Sequence, residues 1–216
     1  MATAPSSQIA RAWAIGAATL LVGVVVASQL PLAAGSSRPR AAHGGTRSAA
    51  AAPPAGLGWL TPQTAPTGWR ATTTASGGAT LFYPPAWALV PGDHGTVSAA
   101  LRDDSGRYAG YLNVTPGEGA ERLRGWARFR IEHNREEGAT GVQRSAAAEG
   151  LSFRNARGSC VIDDYVSRVR SHPYREIACI ITGHRNTAVL VGAALVRDWP
   201  ALGKTIQQAA SAFVVR

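Results

Sequence analysis

Both cysteines of the chain lie in one short stretch, residues 158–184, and this arrangement constrains the fold more than any other feature. Each cysteine sits in a run rich in β-branched residues, and a Ser-His-Pro sequence at 171–173 separates the two runs. Two such runs on either side of a turn predict an antiparallel hairpin. A hairpin centred between Val169 and Arg170 places Cys160 directly opposite Cys179.

The same register decides which other side chains face each other. It pairs Ile162 with Ile177, Asp164 with Arg175, and Tyr165 with Tyr174. Facing Cβ atoms in such a ladder lie about 4.5–5.5 Å apart, which is close enough for a disulfide. We therefore predict a Cys160–Cys179 bridge. Because stable disulfides belong to oxidising compartments, the bridge favours an exported domain.

A charge-free apolar segment near the N-terminus indicates targeting to a membrane. Residues 12–34 follow a short leader, residues 1–11, whose only charged side chain is Arg11. About 20 apolar residues span a bilayer, so the segment is either an uncleaved transmembrane anchor or a signal peptide that is removed after export. We expect the anchor, with a cytoplasmic leader. Three arginines at 38–47 oppose this orientation by the positive-inside rule, whereas the cysteine pair supports it, and we expect export.

The remaining chain divides by composition. Residues 35–58 are rich in Ala, Gly, Ser and Pro and predict a disordered linker, and residues 59–216 predict one extracytoplasmic domain. The net charge of +9 favours attraction to anionic surfaces, although none of the usual nucleic-acid-binding motifs is present. We expect contact with the membrane through the N-terminal helix, an envelope protein or an anionic polymer as partner, and no nucleic acid.

The pattern within the domain predicts an α+β fold. We expect a single antiparallel sheet flanked by two helices and preceded by the transmembrane helix and linker. The predicted strands, besides the cysteine hairpin, are 79–83, 88–91, 96–102, 108–115, 142–148, 151–154 and 187–196; the predicted helices are 120–137 and 198–213.

The Leu-Phe-Tyr-Pro-Pro-Ala-Trp sequence at 81–87, followed by this order of elements, resembles the PsbP-like α/β/α sandwich superfamily, which includes LpqN-type exported bacterial proteins. The Tyr-Leu-Asn-Val-Thr-Pro sequence at 111–116 and the cysteine hairpin are similar to uncharacterised membrane-anchored proteins of GC-rich bacteria. The resemblance covers residues 59–216 and implies a binding or assembly module without catalysis. The chain lacks the lipid-modified cysteine of the lipoproteins, so its anchoring must differ.

One group of polar residues interrupts the apolar face of the first predicted helix. Leu123, Trp126 and Ile131 define that face, and Arg130, His133 and Asn134 fall within or beside it. Their polar ends either reach past the core to cap neighbouring strands, or form a site for a small anionic ligand or a partner. We carry the second interpretation forward as a predicted ligand-binding site.

The sequence contains no recognisable catalytic or metal site. Asp163 and Asp164 are adjacent on a strand, so they point to opposite faces, and the Asp-Asp-Ser-Gly sequence at 103–106 predicts a turn. We therefore expect a binding or accessory module of the bacterial envelope, with no catalysis, cofactor or metal. The alternative is an envelope hydrolase with an unrecognised active site. A cleft in which Asp163, His172 or Glu176 meets a nucleophile would favour the hydrolase, and a filled interface between helix and sheet would favour the module.

Overall fold

The computed structural model describes residues 56–169 and 171–216. The predicted leader, the predicted transmembrane segment and almost all of the predicted linker therefore lie outside the described residues. Within the described ranges, no helix is both long and apolar enough to cross a membrane. The packed core extends to Leu57, whose side chain is fully buried.

Ten strands, two α-helices and one 3₁₀ turn make up the described domain. The strands are β1 Arg70–Thr73, β2 Ala79–Tyr83, β3 Ala88–Val90, β4 Val97–Arg102, β5 Tyr108–Pro116, β6 Thr140–Phe153, β7 Ala156–Val166, β8 Pro173–Thr182, β9 Thr187–Leu195 and β10 Val214–Val215. The helices are α1 Trp126–Glu136 and α2 Trp199–Ala212, and the 3₁₀ turn is Val196–Asp198.

Seven of these strands form one antiparallel sheet in the order β3-β4-β5-β9-β8-β7-β6. The predicted cysteine hairpin is confirmed as β7 and β8, which lie between β9 and the edge strand β6. Cys160 is paired with Cys179, and Asp164 with Arg175, in the predicted register. The two predicted strands at 142–148 and 151–154 are one continuous strand, β6. The break that we expected between them is a register shift between Ala148 and Leu151, as in a β-bulge.

The prediction of a single sheet is wrong, because β1, β2 and β10 form a second, three-stranded sheet. The sequence predicted β2 but neither of its partners. β1 is the polar sequence Arg-Ala-Thr-Thr and β10 has only two residues, so neither carries an alternating pattern of sufficient length. β1 forms through a hairpin with β2, in which Arg70 pairs with Tyr83. β10 forms because the chain returns to β2 after α2, where Val214 pairs with Thr80.

The large sheet is covered on both faces, and the alternation of side chains along β7 and β8 assigns them to two cores. One face packs against α2 and the small sheet, through a cluster that includes Cys160, Ile162, Ile177, Cys179 and Ile181. The other face packs against α1, through a cluster that includes Trp126, Val161, Ala178, Ile180 and Val189. Neighbouring residues of each strand therefore face different helices.

Both predicted helices are present, with shifted ends. α1 begins six residues later than predicted, because Gly125 adopts a left-handed conformation with φ of 78° immediately before it. α2 has Pro200 in its first turn, where the missing N–H has no helical partner to lose. Ile206 and Ala209 of this helix, and Phe213 directly after it, are buried. A Cβ at Gly192 of β9 would overlap Ile206, so this glycine allows α2 to approach the sheet.

The predicted disulfide joins Cys160 to Cys179, and both residues are fully buried on the α2 face of the sheet. We expect Cys160→Ser and Cys179→Ser to lower the free energy of unfolding by a similar amount, about 3 kcal/mol, because either change reopens a loop of 19 residues. The double variant should be no less stable than either single variant. Chemical denaturation of all three proteins measures this, and two additive losses would contradict it.

Candidate functional site

A pair of buried carboxyl groups lies beneath α1, on the sheet face opposite the disulfide. Asp163 of β7 and Glu176 of β8 are register partners, and neither is exposed to solvent. Facing side chains in an antiparallel ladder are close, so two ionised carboxylates at these positions would repel each other. Burial adds to this cost, because the low-polarity interior disfavours charge. The pair therefore requires neutralising partners.

Those partners come from α1, in the part of the helix where the sequence showed unexpected polar residues. The Arg130 guanidinium binds Glu176 through two hydrogen bonds, Nε to Oε1 at 2.7 Å and Nη2 to Oε2 at 3.1 Å. The Asn134 side-chain amide donates to Asp163 Oδ2 at 2.9 Å and to Glu176 Oε1 at 3.3 Å. Such a bidentate arginine–carboxylate pair is among the strongest hydrogen-bonded ion pairs in proteins. One helix thus supplies both the compensating charge and a bridging amide.

The two carboxyl groups differ in their protonation. Burial, together with the negative charge of Glu176, raises the pKa of Asp163 from 3.8 to about 8. Burial also opposes ionisation of Glu176, but the charge and hydrogen bonds of Arg130 outweigh it and hold the pKa of Glu176 below its usual value. At neutral pH, one proton and one arginine together neutralise the pair.

Two further buried polar atoms face the same region. Asp163 Oδ1 and the Tyr165 hydroxyl make no hydrogen bond of standard geometry, although the nearby hydroxyl helps to lower the pKa of Glu176. Tyr165 stacks on Tyr174 with ring centroids 6.1 Å apart, and both rings are buried. Because these buried oxygens lack full hydrogen bonding, ionisation of Asp163 at this place in the core is expected to lower the stability of the fold.

His133 does not join the other two members of the predicted ligand site. Its ring lies parallel to that of Phe129, 5.9 Å away, and its Nε2 is 3.3 Å from Glu137 Oε1. Its side chain is about 30% exposed, whereas that of Arg130 is about 11% exposed. The structure therefore brings Arg130 and Asn134 to the same carboxylates and leaves His133 at the rim of the helix.

The acids named for a hydrolase do not converge with a nucleophile in the described residues. Asp163 and Glu176 meet each other, but His172 lies in the hairpin turn before β8 begins. The serine nearest in sequence to Asp163 on the same face of β7, Ser159, has a buried hydroxyl without a hydrogen bond. No group of three His, Cys, Asp or Glu side chains in residues 56–169 and 171–216 is arranged to hold a metal ion. Between α1 and the sheet, the space around these two acids is filled by the side chains of Arg130 and Asn134.

All four members of this cluster stood out in the sequence, but we did not predict that they contact one another. The register that pairs Cys160 with Cys179 also pairs Asp163 with Glu176, three residues further along each strand. Two facing acids inside a sheet are unfavourable alone, and so are an arginine and an asparagine on the apolar face of a helix. Each set supplies the partners that the other needs. This complementarity could have predicted their contact from the sequence, but we did not recognise it.

Comparison with known proteins gives the fold and little more. No family model matches the sequence, and no curated protein sequence matches it. Among solved structures, the chain is similar to cyanobacterial PsbP (CyanoP) from Synechocystis sp. PCC 6803, with 13% identity, a TM-score of 0.50, and coverage of 70% of this chain and 94% of that chain. The predicted resemblance is confirmed at the level of architecture: the chain has a PsbP-like fold.

Two other similar structures have lower scores. LpqN, described as involved in cell envelope biogenesis of Mycobacterium tuberculosis, has 14% identity and a TM-score of 0.43, with 68% of this chain and 90% of that chain covered. A Pseudomonas aeruginosa protein of unknown function, PA94, has 13% identity and a TM-score of 0.46, with 68% and 97% covered. The fold assignment rests on CyanoP alone.

The raised pKa of Asp163 gives the domain a characteristic pH dependence. A carboxyl group whose pKa is higher in the folded than in the unfolded chain stabilises the fold at low pH. This contribution is lost as pH rises from about 4 to about 8. We expect Asp163→Asn to remove this loss, because the amide is never charged. Its advantage over the wild type should grow by up to roughly 1 kcal/mol per pH unit between pH 5 and 8.

The matched control is Asp164→Asn, which changes the neighbouring acid on the opposite face of β7. Asp164 pairs with Arg175 and is about one third exposed, so we expect a small effect that changes little over the same range. Chemical denaturation at several pH values measures both variants. A stability difference between Asp163→Asn and wild type that stays constant from pH 5 to 8 would contradict the assignment.

Proposed function

We propose that this chain is a binding or accessory module of the bacterial cell envelope, held at the membrane by residues 12–34. The observation that supports this function best is the close packing between α1 and the sheet around the two buried acids. The two acids best suited to acid–base chemistry, Asp163 and Glu176, are fully buried and are bound by Arg130 and Asn134. A substrate cannot reach them without displacement of the helix, so binding at the surface is favoured over hydrolysis.

The disulfide supports an extracytoplasmic location. Cys160 and Cys179 are the only cysteines of the chain, and they are joined. Structural disulfides are rare where glutathione and thioredoxin keep thiols reduced. Attachment through residues 12–34 is our proposal from the sequence, with release after signal cleavage as the alternative.

The predicted ligand site is proposed to lie on α1, with different roles for its three residues. Arg130 and Asn134 hold the helix against the sheet through the buried carboxylates. His133 is the more exposed of the three and is the one proposed to contact a partner or an anionic group directly. The first two are positioning residues, and the third is a contact residue.

A pair of helix variants separates contact from positioning. We expect His133→Ala to leave the melting temperature within about 2 °C of wild type, since surface changes rarely exceed 0.5 kcal/mol, and to weaken partner capture in crosslinked membranes. Glu132→Ala, an exposed neighbour on the same helix, should change neither property. Equal capture by wild type and both variants would remove His133 from the proposed site.

Arg130→Met tests the positioning role. Removing one partner of a buried ion pair leaves the other charge uncompensated, so we expect a loss of about 3–5 kcal/mol at neutral pH. The loss should shrink in acid, where Glu176 becomes protonated. Chemical denaturation at neutral and acidic pH checks this, and a loss below about 1 kcal/mol at neutral pH would show that Glu176 does not depend on Arg130.

The proposed location has a direct test in whole cells. Because residues 12–34 are proposed to remain in the bilayer, the protein should stay with membranes through a high-salt wash. Protease added to cells stripped of their wall should remove the domain. Full protection would reverse the proposed orientation, and a released form starting near Ser36 would establish a cleaved signal instead of an anchor.

A turnover screen tests the rival hydrolase. Ester, peptide and glycoside substrates cover the reactions that a pair of carboxyl groups could assist. We expect no activity that depends on Asp163, His172 or Glu176. Turnover that is abolished by a single change at one of these residues, in a protein that remains folded, would overturn the proposed function.

A further inference from the structure

An open groove lies beside the N-terminal end of α1, away from the buried carboxylates. It has a volume of about 1050 Å³ and is lined by the loop that precedes α1, the first turns of the helix, β6, and the adjacent ends of β8 and β9. Its apolar lining is Leu123 and Ile180, and Thr182 and Thr187 contribute hydroxyl groups. This is at the upper end of the size range of small-ligand sites and is large enough for a segment of a polymer.

Three arginines line this groove and have no acidic partner. Arg122 donates to the backbone carbonyls of Gly119 and Glu121, which orients its guanidinium without neutralising it. Arg124 and Arg128 are exposed, and no hydrogen bond or ion pair holds either side chain within the described part of the chain. Arg130, only two residues after Arg128 and on another side of the helix, is instead bound to Glu176.

Two acids also line the groove, and each accepts a hydrogen bond from the backbone. Glu149 Oε1 accepts a hydrogen bond of 2.7 Å from the Gly125 N–H, at the start of α1. Glu121 Oε2 accepts one of 2.7 Å from the Glu118 N–H, and burial raises the pKa of this carboxyl. These hydrogen bonds do not neutralise the two carboxylates, but the three arginines of the lining outnumber them, so the groove keeps a net positive charge.

The end of the sheet extends the same surface. Arg157 of β7 is exposed and is the register partner of Thr182, so its side chain projects from the same face. Thr182 Oγ1 lies 3.0 Å from Thr187 Oγ1. Four arginines thus accompany a strip of hydroxyl groups and a short apolar floor. Arginine binds oxyanions through paired hydrogen bonds, and hydroxyl groups can donate to the same oxygens.

We propose that this groove binds a phosphate-bearing polymer of the cell envelope, through Arg124 and Arg128 with Arg122 and Arg157 at its margins. This deepens the proposed function, on which it rests, by naming the ligand class and a second contact surface. Repeated phosphates along a flexible chain match several separate guanidinium groups better than one small anion does. A concave groove admits such a chain, whereas a flat bilayer surface would reach only its rim.

The test uses the full chain in neutral phosphatidylcholine nanodiscs. It is titrated with a soluble poly(glycerol phosphate) oligomer, with inorganic phosphate, and with glycerophosphoglycerol, which is the headgroup of an anionic lipid. We expect the oligomer to bind most tightly and with an affinity that falls as salt rises. The double change Arg124→Gln and Arg128→Gln should weaken oligomer binding by about tenfold or more, as expected for lost charge-assisted hydrogen bonds.

The matched control is the double change Arg70→Gln and Arg144→Gln. It removes the same charge from two exposed arginines outside the groove lining, on β1 and β6. We expect it to weaken binding by less than about twofold. Equal weakening by both double variants would assign binding to the overall positive field and overturn the groove. Binding of glycerophosphoglycerol as tight as that of the oligomer would overturn the polymer in favour of a lipid headgroup.

Failure of this proposal is distinguishable from failure of the proposed function. If the oligomer does not bind while membrane crosslinking still captures a partner in a manner that depends on His133, the binding module stands and the groove proposal falls. If neither the oligomer nor a partner binds to the folded protein, both fall. Thermal melts of each variant establish that the folded state is being compared.

Discussion

The fold depends on a single register of the β7–β8 ladder. That register buries Cys160 against Cys179 on the face that meets α2, and it buries Asp163 against Glu176 on the face that meets α1. A slip of one residue would send every side chain to the wrong face, so the disulfide and the acid pair are satisfied or lost together. The disulfide stabilises this register, while the two buried acids require another element to supply a positive charge and hydrogen-bond donors.

α1 meets that condition, and in doing so its own position becomes fixed. Trp126 Nε1 donates to the Ala178 carbonyl at 2.9 Å, and Arg130 and Asn134 reach the carboxylates one and two turns later. Apolar contacts alone would tolerate a shift or rotation of the helix, but a buried charge pair penalises any position that separates its members. Apolar residues of the same volume in place of this cluster could give an equally stable fold. We therefore assign the cluster a role in fixing the position of α1 on the sheet.

The sequence predicted this arrangement unevenly, for physical reasons. The hairpin, its register and the disulfide followed from period-two patterning, and most strands of the large sheet followed from the same signal. The small sheet did not, because β1 is polar and β10 has only two residues, so neither carries a recognisable alternation. β10 also reaches β2 only after α2 has brought the chain back, and such a long-range pairing leaves no local pattern. The polar residues of α1 were identified, but their partners lie 29 to 46 residues away in the chain. Long-range neutralisation is visible only when strand register and helix face are considered together.

The arginines near the start of α1 differ from Arg130 in whether their charge is already paired. The charge of Arg130 is buried and paired with Glu176, so removing it mainly lowers the stability of the fold. At Arg124 and Arg128 the charges are exposed and cost the fold little to keep, because water solvates them. Groups already satisfied inside a domain gain nothing from a ligand, whereas unpaired guanidinium groups around a groove gain partners when an anion enters. The proposed anion site of this domain therefore lies beside the start of α1, and the buried cluster holds that helix in place.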